Sequence, residues 1–328
     1  MKLNELFDAF KNKRILVIGD VMVDAYVIGK VNRISPEAPV PIISLEKEEK
    51  RIGGAGNVAL NLVALGAKPI ICSVIGTDAN GNQLLDLFTQ NGISTQGIIA
   101  SKDRKTTVKT RVISNRQHLL RIDSETTTSI FEEQENALIE QVENLISKGL
   151  DAVIFEDYNK GVLTKRVIQT IIDLCKVAKI PTTVDPKKDN FLAYKGVTLF
   201  KPNLKELKDG MNVSFSFLID KPAFLQAVNE LNKVLENDIS FITLSEHGVF
   251  IQNKNEEYFV KAHYRNIADV SGAGDTVIAV ATLCLVAGAS LKEIAEISNI
   301  AGGLVCEKSG VVSISQEELM NEANELLS

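Results

Sequence analysis

The sequence predicts an α/β protein: a doubly wound, mostly parallel sheet with helices on both faces and a small β-sheet lid. Three observations carry this. Short apolar runs ending in polar residues recur along the chain, segments of helical spacing separate them, and two β-rich islands interrupt the alternation in the first half. With 328 residues, 45% of them hydrophobic, the chain can bury a large core. No repeat, low-complexity linker or composition break divides it. One domain over residues 1–328 is expected, with the lid formed by about 25–46 and 93–125.

Taken in order, Arg14-Ile-Leu-Val-Ile-Gly-Asp20 reads as a buried parallel strand opening into a loop at its carboxyl end, where ligands of open α/β sheets collect. Asp20 and Asp24 follow, either to hydrogen-bond hydroxyl groups or to serve as turn and cap residues. Prolines in Arg33-Ile-Ser-Pro-Glu-Ala-Pro-Val-Pro41 confine that stretch to extended or edge structure. Gly53-Gly-Ala-Gly-Asn57 then leads into the helical spacing of Val58 to Leu65. Its glycines allow close backbone approach to a ligand, and Asn57 offers a donor and an acceptor. The second island includes Thr106 to Ile113 and His118 to Asp123, with basic residues Lys102, Arg104, Lys105, Lys109, Arg111, Arg116 and Arg121. These form either a solvated strand face or a local phosphate receptor.

A polar helix over about 130–148 is followed by further apolar strands, each ending in polar residues: Glu156-Asp-Tyr-Asn-Lys-Gly161, Asp185-Pro-Lys187, Lys201-Pro-Asn203 and Ser245-Glu-His-Gly248. Functional groups therefore gather at one sheet edge. Asn203 and Glu206, at i and i+3, suit either a hydrated Mg²⁺ or a helix-capping box. The three histidines are isolated and read as structural or exposed. Near the end, Asp269-Val-Ser-Gly-Ala-Gly-Asp275-Thr276 precedes an apolar run from Val277 to Ala289. Its backbone N–H groups and the following helix dipole would make an anion cradle, with Asp275 placed as an ionised base. A flexible turn with Asp as N-cap fits the same residues.

Composition narrows the function. With 36 basic and 42 acidic residues, net charge −6, general affinity for nucleic acid or membrane surfaces is not expected. The four cysteines are far apart without Cys-x-x-Cys pairs, which argues against zinc and a disulfide framework. The first ten residues lack the pattern of a signal peptide, and the longest apolar run is too short to span a bilayer, so a cytoplasmic setting is expected.

Together, Gly53-Gly-Ala-Gly-Asn57, Asn203-x-x-Glu206 and Ser271-Gly-Ala-Gly-Asp-Thr276 resemble, in kind and order, the motifs of the ribokinase-like, or PfkB-type, carbohydrate kinases. Within that family the chain is most similar to bacterial heptose-7-phosphate kinases, the kinase component of ADP-heptose synthesis. That similarity lies in Gly19-Asp-Val-Met-Val-Asp24, Arg33 to Pro41, Thr107 to Ile113, Asp157-Tyr-Asn-Lys-Gly161 and Asp185-Pro-Lys187. The resemblance implies transfer of the ATP γ-phosphate to the anomeric hydroxyl of D-glycero-D-manno-heptose 7-phosphate, for lipopolysaccharide core precursors.

It further implies Asp275 as general base and the amides of Gly272, Ala273 and Gly274 as stabilisers of phosphoryl charge. Asn203 and Glu206 would organise Mg²⁺, Glu206 through water. Ser245, Gly248, Asn299 and Gly303 would border adenine and ribose. Asp24, Gly54 and Asn57 would hold sugar hydroxyls, while Lys160, Arg111, Arg104 and Lys109 would meet the sugar phosphate. Asp269 and Ser271 resemble a monovalent-cation loop, implying K⁺, and lids of such kinases pair in homodimers. Many relatives continue into a nucleotidyltransferase; no His-x-Gly-His motif is present here, so a separate nucleotidyltransferase is expected to act later. Competing expectations are a kinase for another sugar or sugar phosphate and a non-catalytic nucleotide or sugar sensor. A nicotinamide enzyme is disfavoured by the absence of a dinucleotide fingerprint after the first strand.

Overall fold

A computed structural model describes residues 2–115 and 117–327. Arg116, one of the basic residues of the second island, lies outside them. The first half contains α1 (Leu3–Asp8), β1 (Arg14–Gly19), β2 (Val21–Ile34), β3 (Pro41–Gly54), α2 (Ala55–Ala64), β4 (Lys68–Gly76), α3 (Ala79–Gln90), β5 (Ser94–Ser101), β6 (Thr107–Ser114), β7 (Gln117–Ser124) and α4 (Glu132–Ser147). The second contains β8 (Ala152–Glu156), α5 (Lys165–Ala178), β9 (Thr182–Asp185), β10 (Leu199–Phe200), α6 (Leu204–Met211), α7 (Lys221–Leu235), β11 (Ile239–Thr243), β12 (Val249–Gln252) and β13 (Glu257–Val260). It closes with α8 (Ala273–Val286), α9 (Leu291–Cys306) and α10 (Gln316–Leu327).

The main sheet has the order β13-β12-β11-β10-β9-β8-β1-β4-β5. Its interior is parallel, and β12 and β13 add an antiparallel edge. That closing hairpin is absent from the expectations above: its strands are only four residues long, too short for a clear period. Parallel strands covered on both faces run apolar up to their carboxyl ends, as in Ala152–Glu156, where all five residues are buried and only the last is polar. One face packs against α2, α8, α9 and α10 through residues such as Val58, Leu283, Ile297 and Leu319. The other packs against α4, α5 and α7 through Leu138, Ile171 and Leu231. Helix α8 is buried from Asp275 to Cys284, the behaviour of a helix apolar all round, and it delivers its N-terminus to the sheet edge.

The second sheet has the order β3-β2-β6-β7; β2 and β6 pair in parallel, while β2/β3 and β6/β7 are antiparallel. Its boundaries differ from those expected. Ser94–Ser101 pairs with β4 at the edge of the main sheet, so the second contribution to the small sheet begins at Thr107. The strands β2 and β3 also reach the active edge, at Val21 and Gly54.

All four cysteines are free and buried. Among the described residues, no helix is long and apolar enough to cross a membrane. Under one face Phe200 packs edge-on to Phe191 at 5.1 Å between ring centroids and lies 6.2 Å from Tyr194, all three buried. Truncating such a ring removes transfer energy and leaves a cavity. Phe200→Ala is expected to cost about 3–5 kcal/mol, measured by urea unfolding.

Candidate active site

The site forms where β1, β8 and β9 end and α8 begins. Gly272 caps α8 in the left-handed region (φ 80°), and a Cβ there would lie 2.8 Å from the Asn57 amide nitrogen. Gly54 caps α2 at φ 59°, and its missing Cβ leaves room for the Asp20 carbonyl, 2.3 Å from where the Cβ would stand. These glycines let two helix starts meet. Asn57 Nδ2 donates to Asp275 Oδ2 at 2.6 Å, and Thr276 Oγ1 donates to Asn61 Oδ1 at 3.1 Å. From β8's following loop, Tyr158 donates its hydroxyl to Asp275 Oδ1 at 2.9 Å.

Asp275 is 6% exposed. Burial pushes its carboxyl up, the Asn57 bond pulls it back, and the nearby Asp185 charge pushes it up again, to about 6. The helix dipole alone would favour ionisation, as the sequence suggested, but loss of hydration outweighs it. Carboxylate oxygens of Glu156, Asp185 and Asp275 all lie within 4.8 Å of one another. Lys201 Nζ sits 2.8 Å from Asp185, and Lys187 Nζ sits 3.6 Å from Asp185 and 2.7 Å from Glu206. Although burial opposes ionisation, these lysines hold the Asp185 carboxyl below its ordinary value. Glu156 has neither oxygen hydrogen-bonded, and burial, Asp185 and Asp275 push its carboxyl well up.

Glu156, Tyr158, Asp185, Lys187 and Lys201 are the groups that sequence reasoning did not single out as site residues. Each ends or follows an apolar strand, and that position is the signal that could have found them. Asp20, by contrast, takes the turn-holding role of the two that the sequence offered. Its carboxylate accepts from the backbone N–H groups of Tyr158, Lys160 and Val162, at 2.9, 3.0 and 3.2 Å, and so holds the Tyr158 loop.

A cleft of about 860 Å³ opens beside Asp275. Asn203, Glu206, Ser245, Gly248, Asn299 and Gly303 all line it, together with Gly272, Ala273 and Gly274. Asn203 and Glu206 form a reciprocal capping box: Glu206 N–H donates to Asn203 Oδ1 at 2.8 Å, and Asn203 N–H to Glu206 Oε2 at 2.9 Å. Asn299 Nδ2 donates to the Lys261 carbonyl at 2.8 Å, pinning the loop above α9.

The remaining predicted residues lie outside that cleft's lining. Asp24 is ion-paired with Arg111, whose guanidinium also lies 5.5 Å from the Tyr26 ring. Lys160 Nζ contacts Glu125 at 2.7 Å; Lys109 Nζ lies 3.5 Å from Glu125 and 3.4 Å from Asp123. Arg104 donates to the backbone carbonyls of Lys160 and Thr126. Asp269 accepts from the N–H groups of Ser271 at 2.9 Å and Gly310 at 3.0 Å, which outweigh burial and lower its carboxyl.

Helix α8, capped by Gly272 and buried from Asp275 to Cys284, presents a carboxylate beside the cleft. Residues 12–318 match the pfkB family carbohydrate kinase pattern. The chain belongs to that family. This pfkB-family kinase is 42% identical over 311 residues to the bifunctional protein HldE of Desulfatibacillum aliphaticivorans, and 41% identical over 305 residues to that of Wolinella succinogenes. The alignments cover 94% and 93% of this chain, and the chain spans 63% of the length of each relative. Its fold is ribokinase-like. Phosphofructokinase-2 from Escherichia coli, in complex with potassium, superposes with a TM-score of 0.80 at 19% identity, over 97% of this chain and 100% of that one. Arabidopsis thaliana ribokinase, complexed with ribose and ATP, gives 0.73 at 16% identity, over 95% and 98%.

Adding a methyl group at residue 272 would meet both a left-handed backbone and Asn57. Gly272→Ala is expected to cost roughly 1–2 kcal/mol, read as a fall in Tm of about 2–6 °C by calorimetry.

Proposed function

We propose that this kinase transfers the γ-phosphoryl group of ATP to the anomeric hydroxyl of D-glycero-D-manno-heptose 7-phosphate, giving the 1,7-bisphosphate for ADP-heptose and lipopolysaccharide core synthesis, a cytoplasmic reaction. The observation that carries the chemistry is the environment of Asp275: buried beside an 860 Å³ cleft, held by Asn57 and Tyr158, at the start of a glycine-capped helix. The heptose assignment draws support from the segments that resemble heptose-7-phosphate kinases and from the 42% identity to HldE.

As the sugar hydroxyl attacks phosphorus, Asp275 takes its proton, the new O–P bond forms and the bond to ADP breaks. Asn57 and Tyr158 orient the carboxylate through one oxygen each. The backbone N–H groups of Gly272, Ala273 and Gly274, with the positive end of α8, stabilise charge on the transferring group. Ser245, Gly248, Asn299 and Gly303 border the nucleoside, and Asp24, Gly54 and Asn57 the sugar hydroxyls.

Glu206 and Asn203 offer the hard oxygens that Mg²⁺ takes, and Glu206, whose Oε1 meets Lys187 and whose Oε2 accepts from the Asn203 N–H, would hold the ion through water, where it would neutralise phosphate charge. The lysines 187 and 201 keep Asp185 ionised there. The loop of Asp269 and Ser271 is the proposed K⁺ site; a potassium complex is known for the E. coli phosphofructokinase-2 of the same fold.

Because the folded-state carboxyl of Asp275 titrates near 6, the ionised base is present above that pH and is lost as pH falls through it. The acid limb of kcat/KM is therefore expected near pH 6. Asp275→Asn should abolish that limb and reduce kcat by roughly 10²-fold or more; unchanged turnover would refute its role. Phosphorus NMR of the product with heptose 7-phosphate and Mg-ATP tests substrate and position together, and preference for an unphosphorylated sugar would defeat the heptose assignment.

The small sheet carries Leu119, Leu120 and Ile122 on β7 and Ile34 and Leu45 on β2 and β3, all exposed. Edge strands with exposed apolar residues call for a partner. We assign this surface to a homodimer. Leu120→Asp with Ile122→Asp is expected to give a monomer by analytical ultracentrifugation, whereas a wild type that is already monomeric would overturn the assignment.

A further inference from the structure

The two lysines read as receptors of the sugar phosphate are already bridged by a carboxylate. Lys160 Nζ, on the loop clamped by Asp20, lies 2.7 Å from Glu125 Oε1, and Lys109 Nζ, on β6, lies 3.5 Å from Glu125 Oε2. The three side chains are 14–18% exposed. Paired lysines in so little water repel each other, and a carboxylate between them relieves that repulsion. It does so incompletely, because Oε2 is shut from solvent and makes no hydrogen bond. The neighbouring Asp123 is shared: Arg121 donates to it twice, at 2.9 and 3.0 Å, and Lys109 lies 3.4 Å away.

The surrounding backbone is built to hold this arrangement. Arg104 NH2 donates to the carbonyls of both Lys160 and Thr126, and Thr126 Oγ1 accepts from the N–H of Lys105. The clamp therefore joins the two chain segments that carry Lys160 and Glu125. Glu125 itself lies just beyond β7, outside regular structure.

We infer that Glu125 is a resident anion that occupies the phosphate subsite between Lys109 and Lys160, so that a phosphorylated ligand must displace it to take both lysines. The inference rests on the sugar-phosphate reading given above. A dianionic phosphate offers more charge and more acceptor oxygens than one carboxylate, so it displaces Glu125 and takes both lysines. A neutral sugar leaves the carboxylate in place. The residue thus lowers the affinity of the subsite for a phosphate by the cost of displacing the carboxylate.

The test is titration calorimetry of the full chain with inorganic phosphate, in the presence of saturating ADP to fill the nucleotide cleft. Glu125→Gln keeps the shape and removes the charge. It is expected to bind phosphate about tenfold more tightly than wild type, and Lys160→Met in the Glu125→Gln background is expected to abolish the gain. Phosphate affinity that is unchanged or weaker in Glu125→Gln overturns the inference, as does a gain that survives loss of Lys160. A residue with only a structural role would lower Tm and leave phosphate affinity alone. The assay uses no turnover, so it stands apart from the substrate assignment: failure to phosphorylate heptose 7-phosphate would sink that assignment and leave the phosphate result to judge Glu125. With turnover, Glu125→Gln should lower KM for a phosphorylated sugar and leave KM for an unphosphorylated one unmoved.

Discussion

Three buried carboxyl groups within 4.8 Å of one another repel one another when ionised, and the site is arranged around that constraint. The structure divides the charge unequally. Asp185 takes the two lysines, which hold its carboxyl below its ordinary value, Glu156 is pushed well above its own, and Asp275 falls between them. Several backbone features serve this division. A Cβ at Gly274 would come within 3.2 Å of Asp185 and 3.7 Å of Lys201, so a side chain there would crowd the Asp185 carboxylate. Helix α8, buried along most of its length, could not bring a carboxylate this far in unless the group's proton affinity were already adjusted by its neighbours.

The same economy appears in the loop after β8. Asp20 ends β1's run and spends both carboxylate oxygens on three backbone N–H groups of that loop. One buried side chain thereby fixes Tyr158, which touches Asp275, and Lys160, which reaches toward the small sheet. Burial first, then the charge of Asp157, raises the Asp20 carboxyl to about 6, and the three N–H bonds limit that rise. Asp157 is itself bound by Tyr194 and Asn190, so the loop is tied to the aromatic core beneath the sheet.

Much of the fold was legible because parallel strands and their polar ends leave a strong pattern: the runs ending at Asp20, Glu156 and Asp185 all mark the same edge. The Gly53 to Asn57 and Ser271 to Asp275 turns were legible for a similar reason, since only glycine-rich starts let two helices meet so closely. Less could be read about partners. Nothing in the sequence says that Arg111 is spent on Asp24, that Lys160 is spent on Glu125, or that Asp20 faces its own loop, because those pairings join residues 35 to 140 positions apart. The raised carboxyl of Glu156 was also invisible, because it comes from burial and from the approach of Asp185 and Asp275. The Asn203 and Glu206 pair allowed two readings, and the structure realises the capping box while placing both residues on the cleft.

The small sheet is not hung from the main body by linkers. Strand β2 begins one residue after β1 ends, and β3 runs directly into α2 at Gly54 and Ala55. Both strands are continuous for 14 residues. They therefore tie the far end of the small sheet, around Ile34 and Pro41, to Gly54 and, three residues later, to the Asn57 amide that binds Asp275, through a ribbon whose pairing breaks register twice, between Ile28 and Gly29 and between Val31 and Arg33.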